Sequence, residues 1–269
     1  MNLDPYRSTL DAHEAWLSNI DAQRAQHWRT LLANNPEAAA AEALVWETLD
    51  NQVDEIWPGA DPPDFGCRSD GSEFHVECTA IMIDTATTKT TLTPHPASGG
   101  TYKRLLPAVE NKIREKSARL ANCSVPAVLA VATFHFQAGA VTLDRMHVED
   151  MLHGPRKINI GRYVPERGEF VNGGGQSANL CESVFFKEDR ATSEAIPARR
   201  NISAVVLLGL GGRPRVARGM IHPEAVRRFK PEWLPNVAFC RFARWPQDEK
   251  VEIAWVKGNP LGECDRDEV

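Results

Sequence analysis

Asp64 and Glu77 stand thirteen positions apart, on either side of the dipeptide Asp70-Gly71. An Asp-Gly pair tolerates the positive φ angles of a tight hairpin turn, and the segment DFGCRSDGSEFHVECTA alternates apolar and polar residues around it. Folded at that turn, Cys67 faces Phe74, Phe65 faces Val76 and Asp64 faces Glu77. Period-two alternation puts Phe65, Cys67, Phe74, Val76 and Cys78 on one face, and Asp64, Arg68, Glu73, His75, Glu77 and Thr79 on the other. The first face is expected to be core and the second to carry chemistry. Two carboxylates directly opposite on a sheet, with Cβ atoms roughly 4.5–5.5 Å apart, repel unless a cation lies between them. A divalent ion held by Asp64, Glu77, a main-chain carbonyl such as that of Cys78, and water suits Mg²⁺ or Mn²⁺, whereas zinc prefers His and Cys ligands.

The elements that must position this pair are also legible. From Leu10 to Leu32 apolar residues recur at three- and four-residue steps, the period of an amphipathic helix or pair of helices. Asn34-Asn35-Pro36 then interrupts the pattern, with Asn35 as a cap and Pro36 at the first position of a second helix reaching about Asp50. The prolines of PGADPP, ending at Pro63, exclude helix and central strand there. After the hairpin, residues 84 to 101 read as a polar loop, Tyr102 to Leu120 as a helix and Val125 to Phe134 as a buried strand. Residues 154 to 182, rich in Gly, Pro and Asn, read as one long loop, of a length that is usually functional or disordered. Strands follow at Ile202 to Leu208, Val216 to Ile221, Val237 to Phe242 and Val251 to Val256, with a short helix near Pro223 to Phe229.

Pro63-Asp64 followed by Glu77-Cys78-Thr79 in a hairpin, with a Glu-bearing helix before it and a helix and strand after it, resembles the PD-(D/E)XK nuclease family over roughly residues 36 to 135. The resemblance implies a restriction-endonuclease-like α/β core, a mixed central β-sheet flanked by helices. It also implies that Asp64 and Glu77 hold Mg²⁺ and that an acidic residue of the preceding helix assists. Glu42 and Glu47 both qualify for that part, and Glu42, at the border of the apolar stripe, is favoured. In the family a lysine two places after the Glu positions or activates the attacking water. Here that place is Thr79. Members of the family supply the lysine from the following helix instead, where the stripe Leu106, Val109, Ile113, Lys116, Leu120 puts Lys116 on an otherwise apolar face, with Lys112 one turn earlier as second candidate.

Length and composition set the outer bounds. A chain of 269 residues, 42% hydrophobic and 25% charged, has globular composition. It reads as one α/β domain over 36–269, with core 36–135 and C-terminal strands within 201–256, preceded by a helical extension over 1–35. The longest apolar stretch, Val125 to Phe134, is about ten residues, short of the roughly 20 that span a bilayer. The N-terminus lacks a secretory pattern and the six cysteines form no CxxC pair, so a reduced, cytoplasmic protein without membrane contact is expected. No HExxH, GxSxG or GK[ST] motif is present, and the glycine clusters at 173–175 and 209–212 read as turns. The net charge of -5 argues mildly against a polyanionic partner. Yet Lys103, Arg104, Lys112, Arg114, Lys116 and Arg119 give residues 103 to 119 a net +4, and residues 190 to 230 carry +7. Together these stretches would form a phosphate track. The expected function is a metal-dependent phosphodiesterase, a DNA endonuclease with DNA preferred over RNA, with a homodimer an allowed assembly. The alternatives are a non-catalytic nucleic-acid- or protein-binding member of the same fold, and a hydrolase of a small phosphate or sugar substrate.

Overall fold

The computed structural model describes residues 2–60, 62–95, 105–159, 162–164, 169–171, 175–212, 215–245 and 251–256. The chain opens with two helices, α1 (Arg7–Ile20) and α2 (Ala22–Asn34). Asp21 separates them in extended conformation and caps α2, its carboxylate accepting the Gln23 and Arg24 amides at 3.0 Å each. Asn35 repeats the device for α3 (Pro36–Asp50), its Oδ1 accepting the Ala38 amide at 3.2 Å, with Pro36 at the first helical position. A short strand β1 (Glu55–Pro58) leads to the hairpin β2 (Phe65–Ser69) and β3 (Ser72–Ala80). Its register is the expected one, Cys67 opposite Phe74 and Phe65 opposite Val76. Asp70 and Gly71, at φ 50° and 67°, make the turn.

Next come α4 (Ile83–Thr90), α5 (Leu106–Arg119), β4 (Ala127–Thr133), α6 (Phe136–Thr142) and α7 (Arg145–His153). Residues 84 to 101 are therefore not one loop. The first amide of α4, that of Ile83, donates to Glu37 Oε1 at 2.6 Å, so this helix start is satisfied from α3, 46 residues back in the chain. Nor is 154 to 182 structureless, because β5 (Arg156–Asn159) pairs with β8 (Gly175–Ala178) and β6 (Arg162–Val164) with β7 (Glu169–Val171). The chain continues through β9 (Phe186–Glu188), β10 (Ala195–Pro197), β11 (Ala204–Gly209), β12 (Val216–Ile221), β13 (Ala238–Phe242) and β14 (Ile253–Val256).

The helix expected near Pro223 to Phe229 does not form. Its backbone is claimed from outside: the Glu224 amide donates to His222 Nδ1, Arg200 Nε donates to the Glu224 carbonyl, and the Val226 amide donates to the Arg200 carbonyl.

Eight strands form one mixed sheet in the order β1-β2-β3-β4-β11-β12-β13-β14. The pairs β3/β4 and β4/β11 at its centre are parallel. A parallel crossover strand is covered on both faces, and β4 is buried at every position. Val128, Ala130 and Ala132 face a core built with α1–α3, and Leu129 and Val131 face a second core built with α5–α7. The protein is thus an α/β protein with three N-terminal helices, a mixed eight-stranded sheet with helices, and extra C-terminal strands. Among the described residues no helix is long and apolar enough to cross a membrane.

Candidate active site

The β2–β3 ladder ends at Phe65 opposite Val76, while β3 continues to Ala80 along β4. Along a strand, the N–H and C=O of one residue point to the same edge, and successive residues alternate edges. The amides of His75 and Ile81 bond toward β4, to the carbonyls of Pro126 and Ala132. Those of Cys78 therefore point to the edge that β2 has vacated. Asp64, one residue before β2, closes on this gap, and its Oδ2 accepts the Cys78 amide at 2.6 Å. The Cys78 carbonyl shares that open edge. Asp64 and Glu77 are thus not a regular cross-strand pair as the turn register predicts. They sit where the ladder stops.

Glu77 is on the face expected to be polar, but it is 0% exposed, because α5 covers it. Lys116 Nζ and Arg119 Nη1 of α5 both lie 2.8 Å from its Oε1. Its Oε2 is buried and has no hydrogen-bond partner. Lys112 instead pairs with Glu115 at 3.3 Å near the surface. Of the two lysine candidates, Lys116 is the one at the carboxylate pair.

Glu42 of α3, Asp64, Cys78, Thr79, Lys112, Lys116 and Arg119 line one cleft of about 770 Å³. Glu77 is not itself in the lining but is bonded to Lys116 and Arg119, which are. Burial first, and then the Asp64 charge, raises the Glu42 carboxyl to about 8. Burial and then Glu77 raise Asp64 to about 6. Burial and these carboxylates also push the Cys78 thiol well up. Such shifts are what carboxyls buried together produce.

The other wall of the cleft is α2. Arg24 Nη1 donates to the main-chain oxygen of Asp64 at 3.2 Å, and His27 and Leu31 line the same opening. Sequence reasoning missed Arg24 and Arg119 as site residues. Arg119, three residues after Lys116, is within reach of a helix-face argument; Arg24 leaves no such signal, since only the packing of α2 brings it here.

Glu47 is elsewhere. Its Oε1 accepts the Thr9 hydroxyl at 2.6 Å and its Oε2 pairs with Arg215, beside a separate cleft of about 290 Å³. His75 sits within the sheet between Gly66 and Ala127 and does not line the main cleft. Of the two basic stretches, the first alone contributes side chains to the cleft lining. Lys112, Lys116 and Arg119 line the cleft, and Lys103 and Arg104 lie outside the described residues. In the second stretch Arg199 donates to the Val184 carbonyl, Arg200 to that of Glu224, and Arg218 packs over Trp255.

Among the described residues no three His, Cys, Asp or Glu side chains gather into a metal cage. Two carboxylates and a main-chain carbonyl, with water completing the shell, nevertheless fit Mg²⁺ or Mn²⁺, hard ions of which Mg²⁺ characteristically keeps several waters. The unpartnered Glu77 Oε2 and the raised carboxyls are observations of this site that agree with such a group. Comparison with family models, curated proteins and solved structures gives no match for this chain.

Proposed function

We propose that the protein is a metal-dependent phosphodiesterase, a DNA endonuclease on a restriction-endonuclease-like core. The observation that carries this reading is Glu77, fully buried, with Oε1 held by Lys116 at 2.8 Å, Oε2 unpartnered, and Asp64 beside it at the open edge of β3. The lysine that the motif places at position 79 is supplied by α5.

Asp64, Glu77 and the Cys78 carbonyl would hold Mg²⁺ or Mn²⁺, which polarises a phosphoryl oxygen and lowers the pKa of bound water. Lys116 donates to Glu77 Oε1 and lines the cleft, where its charge would orient the nucleophile and neutralise the phosphate. Arg119 shares the Glu77 Oε1 contact and holds that carboxylate in place. Burial and the Asp64 charge raise the Glu42 carboxyl to about 8, and a cation held in the cleft would lower it.

The test is cleavage of supercoiled plasmid and of single-stranded circular DNA in Mg²⁺ or Mn²⁺ by the wild type, Asp64→Ala and Glu77→Ala. A loss of at least about 10²-fold in both variants is expected. Equal activity in all three proteins would overturn the assignment. Calorimetry adds a second readout, because a non-catalytic member of the fold would show no saturable Mn²⁺ binding that depends on Asp64.

A further inference from the structure

We infer that the cleft admits a single polynucleotide strand in preference to a duplex, held between α2 on one side and α5 on the other. This rests on the phosphodiesterase reading and names its substrate class.

The first support is depth. Glu77 is 0% exposed and its partners Lys116 and Arg119 line the cleft, so a phosphodiester approaches it through the cleft. The second is that the α2 wall is anchored to the cleft floor at Asp64. Arg24 is bonded to the Asp64 main chain, and Trp28, one turn along, is 2% exposed with its ring 5.0 Å from that of His13. The wall and the floor therefore form one unit.

The third is the distribution of charge. Arg24 stands on one wall and Lys112, Lys116 and Arg119 on the other, while Leu17, Leu31 and Met82 supply apolar lining for bases. A cationic slot with apolar surface for bases is how single strands are held. A duplex would need a wider basic face for its second strand. Arg24, Lys112, Lys116 and Arg119 are the Lys and Arg side chains that line the cleft, while Arg199, Arg200, Arg215 and Arg218 are engaged with Val184, Glu224, Glu47 and Trp255.

The experiment uses the wild-type full chain in EDTA, which blocks metal-dependent hydrolysis, with a labelled single strand of about 12 nucleotides and the same sequence as a duplex. Anisotropy titrations should show the single strand bound at least about tenfold tighter, with affinity falling as salt rises. Arg24→Met and Lys112→Met should each weaken strand binding and reduce the salt slope by about 0.7. If Arg24→Met does not fold, His27→Glu, an exposed change on the same wall, should weaken the strand and leave the fold intact. Equal or tighter duplex binding would overturn the inference, as would unchanged strand affinity in the folded α2 variants. Asp64-dependent cleavage combined with duplex preference would overturn this inference alone. Strand preference without Asp64-dependent cleavage would overturn the catalytic reading and leave the strand slot standing.

Discussion

Lys116 Nζ lies 2.8 Å from Glu77 Oε1, although 39 residues separate them in sequence. The lysine comes from the last turn of a helix whose preceding inward positions, Val109 and Ile113, are 0% exposed, so its amine is aimed at the carboxylate by the packing of α5. Lys116→Met should reduce cleavage by about 10²–10³-fold and, by removing a donor from a buried carboxylate, cost about 1.5–3 kcal/mol of stability. Thr79 lines the same cleft, so adding Thr79→Lys to Lys116→Met should recover about tenfold of the lost rate, a step of about 1.4 kcal/mol in barrier. Plasmid nicking rates and urea denaturation measure both, and no recovery would show that the two positions are not interchangeable.

Glu42 and Glu47, five residues apart on α3, should separate cleanly in assay. Glu42→Gln lies in the cleft and should depress cleavage at neutral pH. Glu47→Gln loosens the contacts to Thr9 and Arg215 and should lower stability by about 0.5–1 kcal/mol while leaving the cleavage rate within twofold of wild type, about 0.4 kcal/mol.

The raised carboxyls fix a pH dependence. Between the unfolded carboxylate range and the folded values of about 6 for Asp64 and about 8 for Glu42, the native state binds more protons than the unfolded one. Stability of the metal-free protein must then fall as pH rises through that window. Glu42→Gln should flatten the fall, and saturating Mn²⁺ at pH 8 should raise Tm in wild type more than in Asp64→Asn. Thermal melts in EDTA and in Mn²⁺ across the window would show it.

His13 acts in the opposite sense. It is 0% exposed, neither ring nitrogen has a hydrogen-bond partner, and Trp16, Trp28, Trp46 and Phe65 surround it. Burial lowers its pKa to about 3. The unfolded chain takes up the proton first, so this site's contribution is intact above the unfolded value and is lost as pH falls toward 3. His13→Phe should reduce the decline in urea midpoint between neutral and acid pH, and an unchanged decline would exclude His13 as its source.

What the sequence made legible was local. The Asp70-Gly71 turn set the hairpin register, and Asn35-Pro36 placed the start of α3. The apolar stripe of α5 singled out Lys116, because a charge inside a 3.6-residue period stands out without any tertiary knowledge. What stayed hidden depends on distant partners. Helix α4 is capped by Glu37 of α3, the backbone of 223–229 is held by Arg200, and Arg24 reaches Asp64 only because α2 packs against α1 and α3. The departure of Asp64 from the ladder is also invisible in alternation, which continues through the point where β2 gives way.

The hairpin's contacts span few residues, so β2 and β3 belong to the class of structure that zips on the order of 1–10 μs. Lys116 arrives later, once α5 has docked and β4 has inserted beside β3, a closure over a much longer stretch of chain. During refolding the acidic pair should therefore come together before its cation arrives. Recovery of phosphodiesterase turnover should lag recovery of β-sheet signal, and a nascent chain that has emerged only as far as the hairpin should carry the carboxylates without Lys116.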